Sequence, residues 1–192
     1  MVKLIVGLGN PGQKYEKNRH NAGFLLLEEL ARSVGVGFSR QVRFLGDVAE
    51  YSASLGKLYF LKPFTFMNRS GQSVSAIAKY YKILPEEILV VHDELDFDVG
   101  VARLKKNGGH GGHNGVRDII TSMGQKDFLR LRIGIGRPRS GKAVADYVLS
   151  DFSKVDMQSV QEVFDECVMQ LPVLCAGNYD AVAQKLHSLE NK

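Results

Sequence analysis

The sequence predicts an α/β sandwich, because runs of strand length alternate with segments whose apolar residues recur at helical spacing. Two stretches carry most of this. Leu129, Leu131, Ile133 and Ile135 alternate with Arg130, Arg132 and Gly134, the period-2 pattern of a strand with one basic side. Val116, Ile119, Ile120 and Met123 fall on one helical stripe, and Gly124 is placed to stop it.

The other elements follow in chain order. Lys3 to Leu8 is a short apolar run expected as a buried strand, and Phe24, Leu27, Leu30, Ala31 and Val34 mark a helix ending at Gly35. Residues 46–54 and 57–62 read as two strands joined at Leu55-Gly56. Val74, Ile77, Ala78 and Tyr81 give a second helix, followed by a strand Ile88–Val91 and another near 101–106. Ser153, with Asp156 three residues later, opens a C-terminal helix as a capping box, and Pro172 is expected to kink or end it.

The 192 residues are 44% hydrophobic, ample for one core, and no linker or repeat divides them, so a single domain over 1–192 is expected. No apolar run approaches membrane-span length and no leader precedes the first strand, so a soluble, unexported protein is expected. Cys167 and Cys175 lie eight apart on one predicted helix, too far to bridge, which fits a reducing cytoplasm. The net charge of +4 is uneven: residues 103–142 carry ten Lys and Arg against two Asp. Such a block is the footprint of a polyanion site or a solvated basic face.

Gly108-Gly109-His110-Gly111-Gly112-His113-Asn114-Gly115 stands between a strand and a helix. Five glycines carry a conformational cost that a packed element would not accept, so the stretch reads as a loop carrying chemistry or as a mobile surface loop. Its two histidines lack the rigid helix and third ligand of a zinc site. His113 and Asn114 fall at a helix start, where free N–H groups and the dipole favour an anion, although Asn114 can also be the N-cap.

Gly7-Leu8-Gly9-Asn10-Pro11-Gly12 matches the dinucleotide pattern formally, but the next helix begins about ten residues later and no acidic strand end follows. It reads as a tight loop at a strand's carboxyl edge, with Asn10 offering its amide to a ligand or capping the turn. His20, within Asn18-Arg19-His20-Asn21, is polar on both sides and suits general-base work. Asp93, in His92-Asp93-Glu94-Leu95-Asp96, is placed past a strand end, where it can fix an imidazole tautomer or join Glu94 and Asp96 around magnesium. The aromatic pair Phe64 and Phe66, with Met67 and Asn68, suits a groove for a ligand of varied shape or a hydrophobic loop packed on the core. No serine stands in a nucleophile elbow and neither cysteine has a loop histidine, which favours activated water over a protein nucleophile.

Together these segments resemble bacterial peptidyl-tRNA hydrolase. The resemblance rests on Val6 to Gly12, Arg19 to Phe24, Lys62-Pro63 through Thr65-Phe66-Met67-Asn68 to Ser70-Gly71, His92 to Asp96, Gly108 to Gly115, and Arg130 to Gly136. It spans nearly the whole chain in order and is least distinctive in the last fifty residues. It implies a compact monomer, a single-domain three-layer αβα sandwich around a twisted mixed sheet, with no cofactor, no metal and no obligate protein partner. It implies hydrolysis of the ester joining a peptide to the 3′-terminal ribose of tRNA, in the cytoplasm. His20 would activate water and Asp93 would hold it. Asn10, Asn68 and Asn114 would bind the peptide and the ester region, His113 would support that wall, and Met67 would line the groove. Tyr15 and Phe66 (where tyrosine also occurs) would meet the terminal CCA, and Lys105 and Arg132 would receive acceptor-arm phosphates.

The chemistry agrees with that implication, since an aminoacyl ester is already activated and one oriented base with amide donors can suffice. Phosphate contacts carry no base information directly, which suits an enzyme that must accept every tRNA. A metal-dependent phosphoester hydrolase using Asp93, Glu94 and Asp96 remains the contrasting reading, and an inactive RNA-binding relative is disfavoured by the His20 and Asp93 pair.

Overall fold

Leu4–Gly7 (β1) is buried at every residue, as a strand covered on both faces must be, and it lies at the centre of the sheet. The computed structural model describes residues 1–53, 56–138 and 143–189. β1 pairs in parallel with Gly56–Pro63 (β4) and Ile88–Glu94 (β5), and β5 pairs in parallel with Leu129–Gly134 (β7). Ser39–Gln41 (β2), Gly46–Ala53 (β3) and Ala102–Lys106 (β6) add antiparallel edges, giving a seven-stranded mixed sheet ordered β2-β3-β4-β1-β5-β7-β6.

Strand alternation sends Ile5, Leu89, Val91 and Leu131 to one face, where they meet Leu26, Leu27, Phe164 and Val182. Those partners come from Ala22–Ser33 (α1), Lys154–Cys175 (α5) and Tyr179–Leu189 (α6). Leu4, Val6 and Val90 face the other way, onto Val74 and Ile77 of Ser70–Tyr81 (α2) and Val116 and Ile119 of Asn114–Met123 (α3). Two apolar cores thus flank one sheet, which is the expected three-layer αβα sandwich.

The connection from β1 to β4 runs through α1 on one face, and that from β4 to β5 through α2 on the opposite face. The carboxyl ends of β1, β4 and β5 therefore open a crevice at the point where the winding reverses. Backbone contact between α1 and β1 is unusually close there: a Cβ on Gly23 would lie 2.4 Å from the Leu8 nitrogen and 2.5 Å from the Val91 oxygen. Only glycine lets the start of α1, and His20 just before it, approach the end of β5.

Several sequence expectations shift. β5 runs on through Glu94, so Asp93 lies within the strand, paired with Ile133, rather than past its end. Gly56 opens β4 opposite Ala53 instead of forming the turn, and Leu55 lies outside the described residues, as do Arg139 and Lys142 of the basic block. α5 continues three residues beyond Pro172, because buried Leu171, Leu174 and Cys175 hold the last turn against the core. Ser153 caps that helix as expected, accepting from the Asp156 N–H at 3.0 Å. Cys167 and Cys175 are both free, buried thiols on it. The short helix Val144–Val148 (α4) and α6 had no counterpart in the sequence reading.

Candidate active site

Three loops leaving the carboxyl ends of β1, β4 and β5, together with the glycine-rich loop and α4, enclose a cleft of about 580 Å³. Asn10, Tyr15, His20, Phe66, Met67, Asn68, Asp93, His113 and Asn114 all line it, so the fold gathers nine of the eleven residues singled out from sequence. Lys105 and Arg132 do not; they lie on the β6/β7 face.

Asp93 is buried, and its Oδ1 stands 2.8 Å from Nδ1 of His20 and 2.9 Å from Nε2 of His113. Burial alone would raise its pKa, but the two imidazoles pull it far below the usual carboxylate range. An ionised carboxylate only accepts, so both nitrogens facing it carry protons. His113 shows the same from its other side, where Nδ1 accepts the Val116 N–H at 3.3 Å. His20 is thereby fixed as the Nδ1–H tautomer, with the lone pair of Nε2 left for the cleft. Burial works to lower the His20 pKa, yet the Asp93 charge and hydrogen bond outweigh it, and the net shift is upward from 6.5.

Asn10 is held on both sides. Its backbone N–H donates to Oδ1 of Asn21 at 2.9 Å, and its carbonyl accepts from Nδ2 of Asn21 at 3.0 Å. Its own Oδ1 accepts the Met67 N–H at 2.9 Å. Because that N–H can only donate, the amide orientation is settled and Nδ2 is the group presented to the cleft. Met67 is buried, Phe66 is 58% exposed, and Asn68 and Asn114 are exposed at the rim.

The helix-start assignment moves by one residue: His113, not Asn114, is the N-cap of α3, and Asn114 is its first helical residue. A Cβ on Gly115 would meet Sδ of Met67 at 2.5 Å, so glycine lets α3 press its amino end against the cleft floor. Asn114 stands at that end, where the unpaired N–H groups and the dipole favour negative charge.

On the β6/β7 face, Arg103 pairs directly with Arg132, and Lys105 with Arg130. Like charges in register are unfavourable by themselves, so this edge of the sheet concentrates positive charge. Lys105 is exposed, while Arg132 is partly buried, 3.6 Å from Glu94 and over the Phe97 ring. The expectation that Arg130 and Arg132 both face outward fails for Arg130. It is only 2% exposed, because the glycine-rich loop folds over it.

The acidic trio does not converge: Asp93 is engaged by the histidines, Glu94 approaches Arg132, and Asp96 pairs with Arg137. Among the described residues, the one cluster with metal-ligand chemistry is His20, Asp93 and His113, whose ligand atoms lie within 4.8 Å of one another. Sequence reasoning missed Asn21 as the tether of Asn10. It also missed His92, whose buried ring meets His113 edge-on at 4.7 Å and whose pKa burial pushes down to about 3. Val144, Ala145 and Val148, which wall the cleft from α4, and Leu149 just after it were missed as well, since five helical residues give too little periodicity to register.

Comparison with known proteins matches residues 4–192 to the peptidyl-tRNA hydrolase family. The peptidyl-tRNA hydrolase of Methylococcus capsulatus is 51% identical over 187 residues, covering 97% of this chain and 100% of that protein. That of Neisseria meningitidis is 46% identical, covering 97% of each. The crystal structure of the Acinetobacter baumannii enzyme superposes with a TM-score of 0.91 at 42% identity, covering 96% of this chain and 94% of that one.

Proposed function

The chain belongs to the peptidyl-tRNA hydrolase family and cleaves peptidyl-tRNA to release tRNA and peptide; we propose that water activated by Nε2 of His20 performs this cleavage. The observation that carries the reading is the shared Asp93 oxygen, which fixes the His20 tautomer and leaves its basic nitrogen toward the cleft. As Nε2 takes a proton from water, the nascent hydroxide attacks the ester carbonyl and Asp93 stabilises the imidazolium that forms.

The tetrahedral oxyanion needs donors fixed in advance. Nδ2 of Asn10 and the amino end of α3 at Asn114 are the groups suited to it, with Asn68 binding peptide amides beside them. His113 supports Asp93 from the far side. The exposed Phe66 ring and Tyr15 offer stacking surfaces for the terminal CCA, and Met67 lines the peptide groove. Lys105 and Arg132 take acceptor-arm phosphates. The reaction needs neither metal nor cofactor in this scheme, and the protein acts as a cytoplasmic monomer of one domain without an obligate partner. No helix among the described residues is long and apolar enough to cross a membrane.

The test is hydrolysis of N-acetyl-aminoacyl-tRNA against free aminoacyl-tRNA after exhaustive chelation. Rapid, selective cleavage of the blocked substrate is expected. Loss of activity restored by a divalent metal would overturn the metal-free scheme.

A further inference from the structure

The geometry points to Arg130 as a positioning residue for the reaction: a buried cation that clamps the base of the glycine-rich loop and so holds His113 against Asp93. Nη1 donates to the Gly109 carbonyl at 2.6 Å, and Nη2 donates to the carbonyls of Asn107 and Gly108 at 2.5 Å each. Three consecutive carbonyls therefore converge on one guanidinium. No carboxylate among the described residues pairs with it. Glu94 favours the charge from a distance, but the groups that touch the guanidinium are backbone carbonyls, aligned on it only while the loop keeps this shape.

That shape is one the chain would not hold by itself. Asn107 has φ 61°, Gly108 105°, Gly111 58° and Gly112 84°, so left-handed conformations recur along the segment. Glycine makes them accessible without making them preferred. The loop's own bonds, from the Gly112 N–H to Nδ1 of His110 at 3.0 Å and from the His113 N–H to the His110 carbonyl at 2.9 Å, shape its tip, while its root at 107–109 is bound by Arg130. Arg130 is suited to this because it sits on β7, inside the sheet, paired with Val90 on one side and Lys105 on the other. A planar fork with several donors can bind three carbonyls at defined angles, which an ammonium point charge does less well.

The loop is thus pinned twice. Arg130 fixes residues 107–109, and four residues later His113 closes the span through its bond to Asp93. Between the pins, Gly111 and Gly112 form part of the cleft wall. If the first pin is lost, the loop gains freedom at its root and His113 no longer supports the carboxylate in one place. The same burial separates Arg130 from its neighbours on the basic face. Exposed Lys105 can reach a phosphate, whereas Arg130 is covered and its Nη groups are already engaged.

This inference rests on the His20, Asp93 and His113 reading above. The experiment compares Arg130→Ala and Arg130→Lys with the wild type by single-turnover hydrolysis, hydrogen exchange over 107–113 and tRNA binding at several salt concentrations. The chemical step in Arg130→Ala should slow about 10- to 100-fold, as expected for slight misplacement of a catalytic group. Exchange over the loop should quicken, and the salt dependence of tRNA binding should stay unchanged. Dilute guanidinium, but not sodium at equal ionic strength, should restore part of the rate to Arg130→Ala. Arg130→Lys should fall between, and it keeps the test informative should the alanine variant fold poorly. A salt slope reduced by about 0.7–0.9 would overturn the clamp and make Arg130 a phosphate contact. Wild-type turnover in Arg130→Ala beside a slow His20→Ala would overturn the clamp alone. Wild-type turnover in both would overturn the shared reading.

Discussion

Replacing Asp93 with asparagine removes one charge while nearly preserving shape, and the hydrogen bonds at 2.8 and 2.9 Å allow its effect to be estimated. With the imidazolium and carboxylate charges about 4 Å apart and an effective dielectric constant of about 20, their attraction is about 4 kcal/mol. That attraction stabilises the imidazolium formed as water is deprotonated, so its loss should slow the chemical step by on the order of 10³-fold. The pH profile should move as well. In the wild type the Asp93 charge raises the His20 pKa against the opposing effect of burial, and base catalysis therefore appears only as pH rises through a value above 6.5. Without the charge, burial acts unopposed and the inflection should fall below 6.5. Single-turnover hydrolysis of N-acetyl-aminoacyl-tRNA from pH 5 to pH 9, on protein of verified fold, reads both effects. A rate within a few-fold of wild type, or an unmoved inflection, would refute the reasoning.

Three further outcomes are expected. Gly23→Ala, which in an ordinary helix gains up to about 1 kcal/mol, should here lose about 1–3 kcal/mol in urea unfolding because its Cβ meets backbone on two sides; unchanged stability would contradict the close approach. His92, held neutral with a pKa near 3, should make stability fall as acidification proceeds from pH 6.5, since the unfolded chain takes up the proton first; His92→Gln should flatten that decline, and an identical pH profile of thermal unfolding would count against it. Lys105→Ala and Arg132→Ala should each reduce the salt slope of tRNA binding by about 0.7–0.9 without altering preference among tRNAs, and an unchanged slope would remove the residue from the phosphate surface.

The α/β layering was legible because its signals are local: apolar alternation in β7, the helical stripe of α3 and the Ser153 cap each depend on a few neighbouring residues. Boundaries were less so. β5 looked finished at Val91 because His92, Asp93 and Glu94 are polar, yet their backbone pairs with β7 regardless of side chain. Pro172 ought to stop α5, but it removes only its own donor, and packing of Leu171 and Leu174 carries the helix onward. The residues around the cleft stood out because glycines, amides and histidines cluster in turns where a core would not accept them. Arg130 shows where that kind of reading ends. Alternation gave the face it occupies, but only the folded loop could show that three carbonyls cover it.

Whether Nε2 of His20 is the base that activates water is read by single-turnover cleavage of N-acetyl-aminoacyl-tRNA by His20→Ala under saturating enzyme. The chemical step should slow by about 10²–10⁴-fold, with tRNA affinity and thermal stability close to wild type. Turnover at the wild-type rate by the folded variant would contradict that role.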